Sequence, residues 1–173
     1  IDLYYAHVDD RSTPLEETMA AFDRLVRAGK VRFLGASNFL AWRLAQVDAL
    51  CAANGRPAYC CIQQRHTYLR PKLGTSFAPQ IAANDDLLDY CRNNPITPLA
   101  YSSLLSGAYT RPDRPIPPEY LGPDGEARLA ALHQVAAAHG VTPNQVILAW
   151  LMQGDPLIVP VMAAGSEAQM AEN

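Results

Sequence analysis

Short apolar runs alternate along the chain with longer stretches whose apolar residues recur every three or four positions, a rhythm that predicts strands and amphipathic helices in turn. Residues 3–6 form the first predicted strand. The helix after it is marked by Thr13 as N-cap, Pro14 at the first helical position and Glu16 closing a capping box, with Leu15, Met19, Phe22 and Val26 as its apolar stripe and Gly29 as its stop. Residues 31–34 read as the second strand. Residues 41–53 form the next helix, turning Leu44, Val47 and Leu50 inward and ending at Gly55. A third strand over 59–63 leads into a long polar loop that reaches about residue 84, followed by a helix over 86–92 and a fourth strand over 98–101. The loop over 102–125 carries Pro112, Pro115, Pro117 and Pro118 and is expected to be a stiff surface flap. Helices over 126–139 and 143–153 follow, the second opened by Thr142-Pro143-Asn144-Gln145, before a fifth strand over 157–161 and a last helix starting near Ser166.

Five strands separated by helices describe α/β architecture with a parallel sheet. Two arrangements fit: a doubly wound sheet, or part of an eightfold barrel, which takes about 250 residues when complete. No Gly-x-Gly-x-x-Gly follows a strand, so the usual dinucleotide fingerprint of the doubly wound fold is missing. With 173 residues and 49% hydrophobic content the chain can bury a core as a single domain. Fourteen basic residues against 17 acidic ones leave a net charge of −3 and no basic stripe, which argues against nucleic acid as a partner. No apolar run approaches the roughly 20 residues of a membrane span. Cys51, Cys60, Cys61 and Cys91 lack zinc-type spacing and are expected to be reduced, small buried residues, Cys60 and Cys61 on opposite faces of a strand; no metal and a cytoplasmic setting are expected. The chain is strand-like from its first residue, in Ile1-Asp2-Leu3-Tyr4-Tyr5, and closes on Glu172-Asn173 inside a predicted helix, which suggests a segment of a longer protein.

Candidate chemistry begins with Gly35-Ala36-Ser37-Asn38. Polar side chains at the carboxyl end of a parallel strand leave the packed sheet and meet in a shared crevice, where Ser and Asn supply donors and acceptors together. The same residues could instead form an Asx turn that caps the next helix. The other strand ends, Ala6-His7, Gln63-Gln64, Tyr101-Ser102 and the stretch after Val161, are polar as well.

This series resembles the aldo-keto reductase family through Asp2-Leu3-Tyr4-Tyr5-Ala6-His7, Gly29-Lys30-Val31-Arg32-Phe33-Leu34-Gly35-Ala36-Ser37-Asn38, Ala100-Tyr101-Ser102-Ser103-Leu104 and Gln169-Met170-Ala171-Glu172-Asn173. The resemblance implies a (β/α)8 TIM barrel, present here as an incomplete C-terminal part running from the fourth strand into the eighth helix, with residues 1–173 as one partial domain. It also implies reduction of aldehydes or ketones by hydride transfer from NADPH, bound in extended form, with NADH also open. The family's Tyr acid and its supporting Lys and Asp belong upstream of residue 1 on this pattern, so the segment alone is expected to be inactive. His7 matches the catalytic His that orients the substrate carbonyl. Ser37, Asn38 and Gln63 match the groups that read the nicotinamide carboxamide, with Gln64 competing for the place of Gln63, since neighbours on a strand face opposite ways. Tyr101 matches the residue that stacks on the nicotinamide ring.

By the same resemblance Ser102, Leu104 and Ser106 line the pyrophosphate, Gly165 and Ser166 lead to a helix start that receives phosphate charge, and Gln169 and Asn173 face the adenosine half. Two departures stand out. Ser103 occupies a position where the family commonly has proline, and Ala163 and Gln169 replace the Lys and Arg that many members set around the 2′-phosphate. The implied partner is a small carbonyl compound, without nucleic acid or membrane. The rival reading is a non-catalytic cofactor-binding or regulatory relative, which has no use for a carbonyl-orienting His7. A hydrolase is disfavoured, since no Gly-x-Ser-x-Gly elbow is present.

Overall fold

A computed structural model describes all 173 residues. Strands β1 (Leu3–Ala6), β2 (Phe33–Ser37), β3 (Tyr59–Arg65), β4 (Thr97–Tyr101) and β5 (Val159–Pro160) lie in one sheet in chain order, and β1, β2 and β3 pair in parallel. Helices α1 (Leu15–Arg27), α2 (Ala41–Asn54), α3 (Asp85–Asn93), α4 (Pro123–His139), α5 (Pro143–Met152) and α6 (Glu167–Glu172) separate and follow them. Parallel neighbours need such crossovers, because a tight hairpin can only join antiparallel strands. No helix is long and apolar enough to cross a membrane. The chain divides into two compact units, Ile1–Gln64 with Ala78–Leu99 and Arg65–Phe77 with Ala100–Asn173.

The core of the first unit gathers Met19 from α1, Leu34 and Ala36 from β2, Leu44 and Val47 from α2, Ile62 from β3 and Leu87 from α3, all buried. Leu15, Phe22 and Val26 pack against it, as the helical stripe predicts. Past α1, Gly29 at φ 68° donates to Val26 O and Lys30 N–H reaches Leu25 O, a Schellman closure that needs a left-handed residue at Gly29. The start of α1 differs from expectation. Thr13 is not the cap: its hydroxyl and that of Ser12 both donate to the carboxylate of Asp10, at 2.7 and 2.6 Å, and the helix begins at Leu15 with no side-chain cap. A full carboxylate is the stronger acceptor, and those hydrogen bonds hold its pKa down at about 2.

Strand β2 runs on to Ser37, so the Gly-Ala-Ser stretch lies inside the sheet and not beyond it. Gly35 has a steric reason for being glycine. A Cβ there would stand 2.7 Å from the Tyr5 ring and 2.8 Å from Cys61 Sγ, side chains that flank it from β1 and β3. Between β2 and β3 the register advances from Leu34↔Tyr59 to Gly35↔Cys61, leaving Cys60 as an extra, bulged residue. That explains why Cys60 is exposed while Cys61 is buried.

In the second unit α5 opens as predicted. Thr142 Oγ1 accepts from Gln145 N–H and Gln145 Oε1 accepts from Thr142 N–H. Leu132, Ala136, Ile147, Leu148 and Leu151 are buried. The predicted 102–125 loop is shorter and more ordered than expected: it contains 3-10 turns at Leu105–Gly107 and Pro118–Tyr120, and α4 already starts at Pro123, where proline suits a first helical position. Strand β5 shrinks to Val159–Pro160, with Val161 N–H donating to Ala100 O at 2.8 Å.

Candidate functional site

In the first unit, strand alternation sorts the polar residues at the sheet's carboxyl ends. Register pairs Ala36 with Ile62 and Ser37 with Gln63, so Ile62 and Gln64 share the face of the buried core, while Ser37 and Gln63 take the opposite face with Gly35 and Cys61. Gln64 is 2% exposed and both ends of its carboxamide are engaged: Oε1 accepts from Asn38 N–H at 2.6 Å and Nε2 donates to Phe39 O at 2.8 Å. It is a structural tie for the turn between β2 and α2. Gln63 is half-buried, with its side chain against the Tyr5 hydroxyl. Burial raises the pKa of Tyr5 well above the ordinary phenol value, so that hydroxyl stays a neutral hydrogen-bonding group.

Asn38 stands just past the end of β2 with φ 59°, in the left-handed region that Asn tolerates better than most residues. Its Nδ2 donates to His7 O at 3.0 Å and to Ser37 Oγ at 3.1 Å, and its Oδ1 accepts from Ile81 N–H at 3.0 Å. Asn38 therefore joins the ends of β1 and β2 to the loop before α3. The helix-cap alternative fails, because α2 begins after Leu40 with no side-chain cap. The backbone of His7 is held by this network and its imidazole is exposed.

The second unit holds a groove of about 930 Å³. Ser102, Leu104, Ser106, Gln169 and Asn173, five of the residues that the sequence singles out, all line it. Gly165 and Ser166 do not; Ser166 caps α6 by accepting from Gln169 N–H, and Gly165 N–H donates to Gln169 Oε1 at 2.7 Å. Tyr101, the last residue of β4, is half-buried, and burial raises its pKa. The loop after it is strained: Ser102, Leu105 and Ser106 all have φ between 47 and 57°. Thr67 holds it from behind, donating to Ser103 O at 2.6 Å and sharing a 2.7 Å hydrogen bond with Tyr109. Strain of roughly 1–2 kcal/mol per residue persists only where surrounding contacts over-determine the backbone, as they do at ligand sites.

Among the groove residues that the sequence pattern does not assign to a ligand are Arg111, His133 and Asn144. Arg111 pairs with Asp113 through two hydrogen bonds of 3.0 and 2.6 Å, which raise the guanidinium pKa further. Its only signal is its place as a basic residue in the proline-rich flap. His133 lies on the exposed side of α4, where periodicity marks it as solvated. Asn144 sits inside a capping-box motif and reads as helix-start chemistry. Two amide oxygens, Asn144 Oδ1 and Asn173 Oδ1, are buried without a hydrogen-bond partner. Such acceptors call for a donor supplied from outside the chain.

The model of the Aldo/keto reductase family matches residues 1–173. The Aldo-keto reductase yakc [NADP(+)] of Schizosaccharomyces pombe is 30% identical over 100% of this chain and 51% of its own length. Human Aldo-keto reductase family 7 member A3 is 35% identical over 66% of this chain and 33% of its own. The crystal structure of a thermostable aldo-keto reductase in complex with the inhibitor epalrestat superimposes with a TM-score of 0.71 at 29% identity, covering 100% of this chain and 53% of that one. The five parallel strands and their helices are thus an incomplete (β/α)8 barrel. The chain spans about half the length of the curated relatives it matches from end to end.

Proposed function

Because the chain belongs to the aldo/keto reductase family, we propose that it serves in an oxidoreductase that reduces aldehydes or ketones to alcohols with NADPH as hydride donor. The groove carries this reading: five residues expected at the cofactor from the sequence, drawn from the loop after β4 and from the chain's last helical turns, line one cavity of about 930 Å³. When bound, the cofactor supplies the hydride. The chain's own residues bind, orient and polarise.

Ser37, Asn38 and Gln63 are assigned to the nicotinamide carboxamide, whose donor and acceptor ends require both kinds of partner. Gln63 and not Gln64 takes this role, since Gln64 could turn to a ligand only by unpairing Asn38 N–H and Phe39 O. Tyr101 stacks on the nicotinamide ring. Ser102, Leu104 and Ser106 are assigned to the pyrophosphate and Gln169 and Asn173 to the adenosine half. Gly165 and Ser166 contribute indirectly, by shaping the turn that presents Gln169. His7 orients the substrate carbonyl, a positioning effect worth on the order of a hundredfold in rate. On the family pattern the proton comes from a Tyr that precedes residue 1, so residues 1–173 alone are proposed to be inactive.

NADPH is preferred, with NADH as the alternative, because the name of the Schizosaccharomyces pombe relative carries NADP(+) while Ala163 and Gln169 provide no cation for a 2′-phosphate. The test is a pair of measurements on the intact protein: NADPH affinity by fluorescence titration, and turnover of an aromatic aldehyde. His7→Ala is expected to lower turnover about a hundredfold with NADPH affinity within about threefold of wild type. Tight NADPH binding without turnover in the wild type would select the non-catalytic relative, and no NADPH binding would end the cofactor reading altogether.

A further inference from the structure

We propose that Asn144 selects the purine of the bound nucleotide, its buried amide oxygen accepting a hydrogen bond from the exocyclic amine of a 6-aminopurine. The proposal rests on the cofactor reading above and adds to it a residue that the family motif does not supply. Asn144 is 8% exposed and lines the groove. Its Oδ1 has no partner, while Nδ2 makes a single long contact of 3.4 Å to Thr110 Oγ1. The cap of α5 is complete without it, built from Thr142 and Gln145 alone. A buried amide oxygen left unpaired is unfavourable, so the site is complementary to a donor that arrives with the ligand.

A second acceptor stands in the same groove. Asn173 Oδ1 is also buried and unpaired. One hydrogen bond, Gln145 Nε2 donating to Glu172 O at 2.7 Å, joins the start of α5 to the end of α6, and both asparagines line the same groove. An unpaired acceptor on a residue that is nine-tenths buried suits a donor hydrogen carried on a flat, uncharged group. Phosphate oxygens at neutral pH offer none. A ribose hydroxyl offers one and brings the charged phosphates with it, which disfavours a position beside a residue that is nine-tenths buried. The amine edge of adenine offers two on a flat apolar ring, and an Asn carboxamide is the side chain whose geometry reads that edge. Guanine and hypoxanthine present a carbonyl there, which would set acceptor against acceptor.

The experiment compares NADPH with its reduced hypoxanthine analogue, in which a carbonyl replaces the amine, using fluorescence titration of the intact protein. Wild type is expected to bind the analogue about tenfold or more weakly, as a site built to hydrogen-bond a donor rejects a ligand that lacks it. In Asn144→Ala, NADPH affinity should fall roughly tenfold and the two ligands should bind within about twofold of each other. Asn144→Asp keeps an acceptor at the same place and should keep the preference. Asn144→Ala is expected to melt only slightly below wild type, because within the chain it removes just the long 3.4 Å contact of Nδ2 to Thr110 Oγ1. Equal binding of the two ligands by wild type, or an undiminished preference in Asn144→Ala, would overturn the assignment of Asn144 while leaving the cofactor reading intact. Failure of wild type to bind NADPH would overturn both. If Asn144→Ala did not fold, the wild-type ratio and Asn144→Asp would decide: a preference present in both supports the proposal, and its absence from either rejects it.

Discussion

Replacing Gln64 by leucine should unfold the protein more readily, whereas the same change at Gln63 should leave stability nearly alone and weaken the cofactor. Leucine keeps most of the buried volume of Gln64 but removes both hydrogen bonds of its carboxamide, 2.6 Å from Asn38 N–H and 2.8 Å to Phe39 O. A buried backbone group stripped of its partner costs about 1–3 kcal/mol. Asn38 N–H keeps a second, longer bond of 3.3 Å to Gln63 O and is partly rescued; the Phe39 carbonyl has no such reserve among the bonds that hold it. The sum is about 2–4 kcal/mol, a large share of the roughly 5–15 kcal/mol that keeps a domain folded. Gln63 is half-buried and its backbone bonds are untouched by substitution, so Gln63→Leu should cost under about 1 kcal/mol. Urea unfolding of the two variants of the intact protein measures both figures, and NADPH titration supplies the contrast: about tenfold weaker binding for Gln63→Leu, from loss of one hydrogen bond to the carboxamide. If Gln64→Leu were within about 1 kcal/mol of wild type, or if Gln63→Leu were the less stable of the two, the division of labour drawn from strand alternation would be wrong.

Asn38→Ala should destabilise more than Asn38→Gly, by about 1 kcal/mol, since both lose the same side-chain bonds but only alanine is strained at φ 59°; alanine as the more stable variant in urea would show that the backbone relaxes there. Stability should fall at alkaline pH. Burial pushes the Cys61 and Cys91 thiols up to about 11 and the Tyr109 phenol up to about 12, so the folded state holds protons that the unfolded chain releases near its ordinary values. Their contribution is complete below about pH 8.5 for the thiols and about pH 10 for the phenol, and is lost as pH rises through 11 and 12. Unfolding free energies that stay flat from pH 8 to 12 would refute this. Gln169→Arg should shift preference toward NADPH over NADH by roughly tenfold, the effect of one charge-assisted hydrogen bond; because arginine cannot replace Oε1 as acceptor for Gly165 N–H, an unchanged ratio would place the 2′-phosphate elsewhere.

Features governed by a few neighbouring residues are legible in the amino-acid sequence alone. The capping box of Thr142 and Gln145, the stops at Gly29 and Gly55 and the Met19 stripe all depend on contacts within one or two helical turns, and each stands where the pattern puts it. The strand ends that carry polar groups are legible for the same reason, as breaks in apolar runs. Features set by partners distant along the chain, or by competition for one hydroxyl, are not. Thr13 looks like a cap until Asp10 captures its hydroxyl. Gln63 and Gln64 are equivalent in sequence, and only the extra residue at Cys60 in the β2–β3 register sends Gln64 toward the core and Gln63 away from it. Asn144 reads as ordinary helix-start chemistry, and its neighbours in the chain do not mark its oxygen as buried and unpaired; its amide nitrogen reaches Thr110, 34 residues away. A side chain's face and a polar atom's burial depend on which segments come to lie beside it, and those segments are tens of residues away in the chain.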